Sequence, residues 1–490
     1  MDKTKEMTSR SGFLAGAVSV DITPQLPAAL VGQYYCRVAH EVYSPLTANI
    51  LTMASDGQSV TFVACDQMGV PKRFVKEARE ALAVKRPGFP VESVIFTATH
   101  THTAPFLSED TSSENWGAEF GWKRHEEDEI TPDEYRAFAV ERVVDGILAA
   151  WDAREPARVA TGIGHASIGY CRRTVYRDGT AVMYGNTNSP DFLRMEDAGD
   201  DGLHFATIER RRDGALMAAM IEVACPAQVL EHHDYIAADY WHEVRRRLRA
   251  AYGEQTVVVG LCGAAGDLSP RDLVRTAMPE PAMHKTAMYQ PEGTVRIAEE
   301  LSRRFADFMQ SRRPSENVPL RWAKRWLSLP LRTVTKEECD RADAAWKRYR
   351  ALHEDMRDFT EMEAYAMSIE AGIRLRYEEQ QRTRTHTMEI HAIRLGDMLI
   401  AANPFELYVE YADRMRSRRG GGKVMIVQLA NDYMGYLPSA PAIAHGGYSA
   451  LVCNGHFGAD GGDLLVEETL GLMEEVWPVS ENENATSAEI

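Results

Sequence analysis

The chain has 490 residues, of which 44% are hydrophobic and 26% are charged, and this composition is that of a globular protein with a substantial core. Its net charge of −17 argues against a nucleic-acid partner, because such partners need a basic surface. The 7 cysteines, an odd number, do not indicate a disulfide framework. No stretch approaches the roughly 18 apolar residues of a membrane span, and the polar first residues lack the apolar segment of a secretory signal. We therefore expect a cytoplasmic protein without stable membrane insertion.

The predicted secondary structure alternates strands and helices. Predicted strands lie at 13–23, 46–54, 59–65, 158–168, 180–184, 203–210, 216–224, 256–262, 388–402 and 423–429, and another begins at Val94. Predicted helices lie at 72–85, 132–152, 235–252, 293–312 and 459–476, and in a stretch that ends at Arg418. This order is typical of an α/β fold.

We predict one large domain at 13–478, with a mixed β-sheet flanked by helices. Disordered tails are expected at 1–12 and 479–490. The heavily charged segment 334–383 has no sustained heptad, so we interpret it as a helical insertion packed on the outside, in preference to a partner-binding coiled coil. The polar and aromatic segment 108–132 is predicted to be a long loop near a strand end. A homo-oligomer is compatible with these features.

Several apolar strands end in a polar cluster. The clusters are His100-Thr101-His102, Cys225-Pro226, 266–270, 403–406 and 431–436. Sites in α/β sheets gather where strands end and loops begin, so we expect these clusters to converge. His100 and His102 point the same way if the strand continues through them, because alternate residues share a face. Such a pair is either a metal or substrate site, or two hydrogen-bonded histidines at a surface turn.

The other polar residues also have a plain structural interpretation. Ser269 precedes a proline and is a normal turn residue. Glu406 lies at a predicted helix start, where the helix dipole favours a negative charge. Tyr436 and Tyr448 are also suited to packing at a partly exposed surface. Spacing alone does not decide between these interpretations and a role in chemistry.

Taken together, four motifs resemble those of the neutral, non-lysosomal ceramidases, zinc-dependent amidases that cleave the N-acyl bond of ceramide. THTHTAP at 99–105 resembles the family's HTHSGP, and GDLSPR at 266–271 resembles its GDVSPN. PFE at 404–406 matches its PGE, and NDYMGY at 431–436, followed by Tyr448, matches its paired tyrosines. The motifs occur in the family's order, and the resemblance extends from Gly16 to Trp477.

The resemblance implies a role for each matching residue. Zinc ligands would be His100, Glu406 and Tyr436. His102 would hydrogen-bond the substrate, and Tyr448 would stabilise the oxyanion. Ser269 would be the nucleophile or would contact the metal-bound oxygen. Arg172 lies where the family has an asparagine-arginine pair, although Cys171 precedes it here.

One departure from the family concerns the remaining zinc ligand. The family has a histidine-proline dipeptide where this sequence has Cys225-Pro226. A thiolate is a good zinc ligand, so Cys225 is the predicted replacement. The alternatives are the cluster Gln228, Glu231, His232 and His233, a different metal, no metal, or a buried structural cysteine.

We therefore predict a zinc-dependent hydrolase, with one Zn²⁺ per chain, that cleaves an amide bond. The resemblance leaves no room for the family's C-terminal immunoglobulin-like domain, and a secretory signal is missing. We therefore expect a small N-acylated or otherwise carbonyl-bearing substrate in preference to a membrane lipid. The alternatives are an esterase or deacetylase on the same site, and a non-catalytic binding protein on a decayed enzyme fold.

Overall fold

A computed structural model describes residues 12–35, 37–108, 126–274, 289–352, 360–420 and 422–479. The strands are β1 (Leu14–Asp21), β2 (Ala28–Ala29), β3 (Val38–Ala39), β4 (Thr47–Ser55), β5 (Gln58–Cys65), β6 (Val94–Ala98), β7 (Glu155–His165), β8 (Tyr170–Cys171), β9 (Arg173–Tyr176), β10 (Ala181–Met183), β11 (Phe192–Met195), β12 (Gly202–Arg210), β13 (Leu216–Val223), β14 (Val257–Cys262), β15 (Leu268–Ser269), β16 (Leu320–Pro330), β17 (Thr385–Leu395), β18 (Met398–Ala402), β19 (Glu406–Leu407), β20 (Val424–Val427) and β21 (Tyr436–Leu437). The helices are α1 (Lys72–Lys85), α2 (Pro132–Asp152), α3 (Tyr240–Tyr252), α4 (Pro291–Ser311), α5 (Lys336–Leu352), α6 (Glu361–Glu379), α7 (Val409–Arg418), α8 (Ala440–His445) and α9 (Ala459–Val476).

Two large sheets form the centre of the molecule. The first has eight strands in the order β14-β13-β12-β7-β1-β4-β5-β6, and the second has the order β16-β17-β18-β20. Three pairs are parallel, namely β5 with β6, β13 with β14 and β18 with β20. A helix lies in each of the three connections, as parallel neighbours require a crossover.

The two sheets pack face to face, and helices cover their outer faces. Leu51 and Phe62 from the first sheet share an apolar cluster with Ile400 from the second. Because side chains alternate along a strand, Ile50 points the other way and packs in a cluster with residues of α1 and α2. The outer face of the second sheet, with Ile390, is covered by residues of α7 and α9. The layers run helix, sheet, sheet, helix, and the predicted α/β class with a mixed sheet flanked by helices is confirmed.

Local signals place some helix starts well and one poorly. Helix α2 begins as predicted, because Thr131 and Glu134 form a capping box ahead of Pro132. Helix α3 begins at Tyr240, later than the predicted start at 235. Asp239 caps it through a hydrogen bond from the Tyr240 N–H to its carboxylate, at 2.7 Å.

Strand β16 has no counterpart among the predicted strands. It pairs with β17 along its whole length, from Leu320 opposite Leu395 to Pro330 opposite Thr385. Charged residues such as Arg321 and Lys324 interrupt its apolar pattern, because it is the edge strand of the second sheet. Its place in the sheet is therefore decided by pairing with β17.

The charged insertion consists of α5 and α6, which pack on each other around Trp346, Met367 and Ala371. Helix α6 also lies against the loop after Tyr448, since a side chain added at Gly372 would come within 2.5 Å of Cys453 Cβ. The insertion therefore also contacts the body of the molecule. The predicted tails and most of the predicted loop at 108–132 lie outside the described residues. Among the residues described, no helix is both long and apolar enough to cross a membrane.

Candidate active site

Polar clusters from both sheets meet at adjacent strand ends. The Ala227 N–H donates to the Thr99 carbonyl at 3.2 Å, and the Phe96 N–H donates to Asn431 Oδ1 at 2.8 Å. The Gly266 N–H donates to the Leu407 carbonyl at 2.8 Å. A side chain on Gly266 would lie 2.4 Å from the Glu406 carbonyl oxygen, so this contact needs glycine. The Glu406 N–H donates to the Gly435 carbonyl at 2.9 Å, and with this bond the segments of all five predicted clusters are joined.

His100 lies just after β6 and has a left-handed backbone with φ of 65°. Its Nδ1 lies 2.6 Å from the Met68 carbonyl oxygen. A carbonyl only accepts hydrogen bonds, so Nδ1 carries a proton, and Nε2 is the ring nitrogen that faces the site. That Nε2 lies 3.4 Å from Glu406 Oε2. The imidazole thus presents a ligand atom to a buried carboxylate.

Glu406 is buried and ionised. Burial alone would raise its pKa, but His100, Arg172 and the Tyr433 hydroxyl outweigh burial and lower the pKa to about 2. The Tyr433 hydroxyl donates to Glu406 Oε1 at 2.6 Å, which leaves Oε2 facing His100. Tyr433 lies within a predicted motif, but no role was predicted for it.

Tyr436 lies beside Glu406, because β19 and β21 pair in parallel with these residues opposite each other. Arg172 donates through one terminal nitrogen to the Tyr436 hydroxyl at 3.0 Å and to the Gly266 carbonyl at 2.9 Å. Burial lowers the pKa of Arg172, but Tyr436, Tyr184 and Glu406 raise it above its usual value, so the guanidinium stays charged. The structure therefore brings His100, Glu406, Tyr436 and Arg172 together.

His102 faces the same space as His100, with 3.4 Å between their Nε2 atoms. The Gln228 side-chain nitrogen lies 2.7 Å from His102 Nε2, and Glu231 Oε2 lies 3.5 Å from His102 Nδ1. Burial, with His100 and Arg37, lowers the pKa of His102 well below its usual value, so the ring is neutral. An amide N–H donating to Nε2 leaves the imidazole proton on Nδ1, next to the carboxylate.

Glu231 is itself paired with a buried arginine. Arg271 forms an ion pair with Glu231 and donates to the Gln228 carbonyl at 3.3 Å. The guanidinium carbon lies 3.9 Å from the centre of the Tyr289 ring and 5.1 Å from that of Tyr184. The sequence predicts Gln228 and Glu231 only as alternative metal ligands. It predicts no role for Arg271, although Arg271 directly follows the GDLSP cluster.

Ser269 is fully buried and ends the two-residue strand β15, where it pairs with Tyr170. Its hydroxyl accepts a hydrogen bond from the Arg271 N–H at 3.2 Å. The same turn is tied to the site by the Arg172 N–H, which donates to the Asp267 carbonyl at 2.9 Å. Ser269 is therefore linked to Arg271 directly and to Arg172 through Asp267 in the same turn.

Cys225 is not brought to His100 and Glu406. Its sulfur lies 3.5 Å from the Pro226 carbonyl and 3.8 Å from the Ile168 carbonyl, within an apolar cluster. Burial raises the pKa of this thiol well above its usual value, which disfavours a thiolate. Within the described part of the chain, no three His, Cys, Asp or Glu side chains form a group that could hold a metal ion.

Tyr448 belongs to a cluster of four tyrosine rings. The ring centres of Tyr436 and Tyr448 are 5.7 Å apart, and those of Tyr365 and Tyr448 are also 5.7 Å apart. Tyr34 completes the cluster and donates a hydrogen bond from its hydroxyl to the Tyr448 hydroxyl at 2.7 Å. Tyr34 and Tyr365 were not predicted, because they come from an N-terminal loop and from the helical insertion.

A metal ion fits part of this site. Zinc bonds to nitrogen and oxygen of 2.0–2.1 Å place neighbouring tetrahedral ligands about 3.3 Å apart. The observed 3.4 Å between His100 Nε2 and Glu406 Oε2 agrees with that spacing. Tyr436 lies next to Glu406 and offers its hydroxyl oxygen as a third donor. The donor set suits zinc, while the position of a further ligand is not occupied by Cys225.

Comparison with known proteins supports the fold. Neither a protein-family model nor a curated protein matches the sequence. The crystal structure of neutral ceramidase from Pseudomonas aeruginosa matches with a TM-score of 0.67 at 16% identity, over 95% of this chain and 75% of that chain. A ceramidase complexed with C2 matches with a TM-score of 0.66 at 14% identity, over 96% of this chain and 76% of that chain. The chain therefore has the fold of the neutral ceramidases, as its motifs predict.

Proposed function

We propose that the chain is a zinc-dependent hydrolase that cleaves the amide bond of a small N-acylated or otherwise carbonyl-bearing substrate. The observation that carries the proposal is the 3.4 Å between His100 Nε2 and Glu406 Oε2, a nitrogen and an oxygen of the kinds that zinc binds. His100 follows β6 of the first large sheet and Glu406 follows β18 of the second, and both lie in motifs that resemble those of ceramidases. The shared fold supports the same interpretation.

The residues that would hold the metal are His100, Glu406 and Tyr436. When bound, zinc would polarise the substrate carbonyl and acidify a bound water. The Met68 carbonyl fixes the tautomer of His100, and the Tyr433 hydroxyl fixes the carboxylate of Glu406. Both ligand atoms are thus oriented by a second hydrogen bond.

The remaining residues would act on the substrate. The Tyr448 hydroxyl donates to the oxygen that becomes negatively charged as the carbonyl is attacked. Ser269 is the nucleophile or contacts the attacking oxygen, and His102 forms a hydrogen bond with the substrate at Nε2 in place of the Gln228 amide. Arg172 keeps positive charge beside Tyr436 and Glu406 and so stabilises their anionic forms.

The test is hydrolysis by the zinc-loaded protein of aminomethylcoumarin amides and p-nitrophenyl esters that carry the same acyl groups. We expect amide cleavage that falls at least about 100-fold in Glu406→Gln. Glu410→Gln is the matched control, because Glu410 lies in the first turn of α7 and is partly exposed. It should keep full activity and full zinc content.

The other outcomes separate the rival functions. Cleavage of esters without amides would favour the esterase or deacetylase. Binding of the amides without turnover, unaffected by a chelator, would favour a non-catalytic binding protein. The Gln228 amide that occupies His102 Nε2 is the observation that favours this second candidate, since it blocks the proton acceptor. The cytoplasmic location and a homo-oligomer stay predictions.

A further inference from the structure

Tyr34 lies in a loop that is held against the site from three directions. The Val31 N–H donates to the Ala104 carbonyl at 3.0 Å, and the Gln33 side chain donates to the Glu231 carbonyl at 3.2 Å. Gly32 has a φ of 101°, and a side chain there would lie 2.5 Å from His102 Cγ. The loop is therefore closely fitted to the His102 segment, and this contact sets the position of Tyr34.

The contact between Tyr34 and Tyr448 has a defined direction. The Tyr34 hydroxyl donates to the Tyr448 oxygen at 2.7 Å, and the two rings meet edge to face with centres 6.1 Å apart. A phenol has one proton and can accept as well as donate. Because Tyr34 supplies the proton of this bond, the Tyr448 proton is not used in it and is free to point to a substrate oxygen.

We propose that Tyr34 is a positioning residue for Tyr448, one that fills the acceptor side of its hydroxyl and so makes it a fixed and stronger donor to the oxyanion. Hydrogen bonds in a chain polarise one another, so a donor to the Tyr448 oxygen strengthens the bond that Tyr448 donates. This inference rests on the proposed function. It adds a residue from outside the four motifs to the machinery that stabilises the transition state.

Tyr365 provides a matched comparison within the same cluster. Its ring centre lies 5.4 Å from that of Tyr34 and 5.7 Å from that of Tyr448. In the part of the chain that the structure describes, its hydroxyl makes no hydrogen bond to Tyr448 comparable to that of Tyr34. Replacing Tyr365 with phenylalanine therefore removes a hydroxyl from the cluster but keeps the hydrogen bond from Tyr34 to Tyr448.

The experiment compares Tyr34→Phe, Tyr365→Phe, Tyr448→Phe and the double variant Tyr34→Phe/Tyr448→Phe on the aminomethylcoumarin amides. We expect Tyr34→Phe to lower kcat by about 5- to 30-fold, as loss of one hydrogen bond in a buried site does, with KM unchanged and the thermal midpoint lowered by no more than about 3 °C. Tyr365→Phe should match the wild type. The double variant should be no slower than Tyr448→Phe alone, because Tyr34 acts only through Tyr448.

Each contrary result has a separate meaning. A Tyr34→Phe variant with wild-type kcat, or a double variant slower than Tyr448→Phe by the full Tyr34 effect, overturns the positioning role and leaves the proposed hydrolase intact. Equal losses of kcat in Tyr34→Phe and Tyr365→Phe would show that the effect comes from packing of the rings and not from the hydrogen bond to Tyr448. Full activity in Tyr448→Phe would overturn both this inference and the oxyanion role on which it rests.

Discussion

The side-chain amide of Gln228 lies 2.7 Å from Nε2 of His102 and so occupies the nitrogen that a substrate would use. Both residues lie at strand ends, and the intervening contact between Ala227 and Thr99 holds their segments together. The segment after β13 therefore supplies polar groups to His102, while its cysteine points into the core. This segment therefore contacts His102 through Gln228, while Cys225 contacts the Ile168 and Pro226 carbonyls.

Replacing Cys225 with alanine should leave the zinc content unchanged. The thiol is buried in an apolar cluster, and its contacts are with the Ile168 and Pro226 carbonyls. The variant should lose about 1 kcal/mol of unfolding free energy, the usual cost of a small buried truncation. Elemental mass spectrometry would measure the metal, with Glu406→Gln as the variant that loses it. Loss of zinc from Cys225→Ala would instead make the thiolate a ligand.

Replacing Ser269 with alanine should abolish most amide cleavage without unfolding the protein. The hydroxyl accepts only a backbone hydrogen bond at 3.2 Å from Arg271 among its described contacts, so the fold does not depend on it. We expect a loss of at least about 100-fold in kcat. The control is Ser328→Ala, which removes an exposed hydroxyl on β16. Full activity in Ser269→Ala would exclude this serine as the nucleophile.

Replacing only one partner of the ion pair between Glu231 and Arg271 should lower the free energy of unfolding by more than replacing both partners. Both side chains are buried, so either single change leaves an unpaired charge in the interior. We expect Glu231→Leu and Arg271→Leu each to lower the free energy of unfolding by about 3 kcal/mol, and the double variant to recover at least half of the summed loss. Urea unfolding of the four proteins would measure this cycle. Additive losses would show that the pair is not coupled.

Replacing Asp267 with asparagine should stabilise the protein more at pH 8 than at pH 5. Burial and the nearby Asp197 carboxylate raise the pKa of Asp267 from 3.8 to about 7, although the hydrogen bond from the Val409 N–H opposes this rise. When the pKa of an acid is higher in the folded than in the unfolded protein, the protein becomes less stable as the pH rises from the lower to the higher value. The reason is that the buried carboxyl group must ionise in the folded state. Three pKa units set an upper bound of about 4 kcal/mol on the gain at high pH.

Thermal unfolding of the wild type and Asp267→Asn at the two pH values would measure the gain. Asparagine keeps an oxygen for the Val409 N–H, which donates to Asp267 Oδ1 at 3.1 Å. The difference in midpoint between the two proteins should therefore grow from pH 5 to pH 8. A difference that is equal at both values would show that Asp267 does not titrate in this range.

Most of the predicted elements agree with the structure within a few residues. The helices at 72–85 and 459–476 were predicted with their observed bounds, because their apolar periodicity is local. The helix at 235–252 was extended too far, since Asp239 interrupts it with a left-handed backbone that composition does not show. Strand β16 was missed, because charged residues on an edge strand hide its pattern.

The sequence by itself determined the α/β alternation and the polar clusters at strand ends, because both arise from local patterns of apolar and polar residues. It also placed His100 and Glu406 in motifs with ligand chemistry. Which atoms face each other was decided by the tertiary structure, since the packing of two sheets brings distant segments together. The hydrogen bond between Tyr34 and Tyr448, 414 positions apart, depends on that packing. So does the position of the Cys225 thiol, which lies in an apolar cluster against the Ile168 and Pro226 carbonyls.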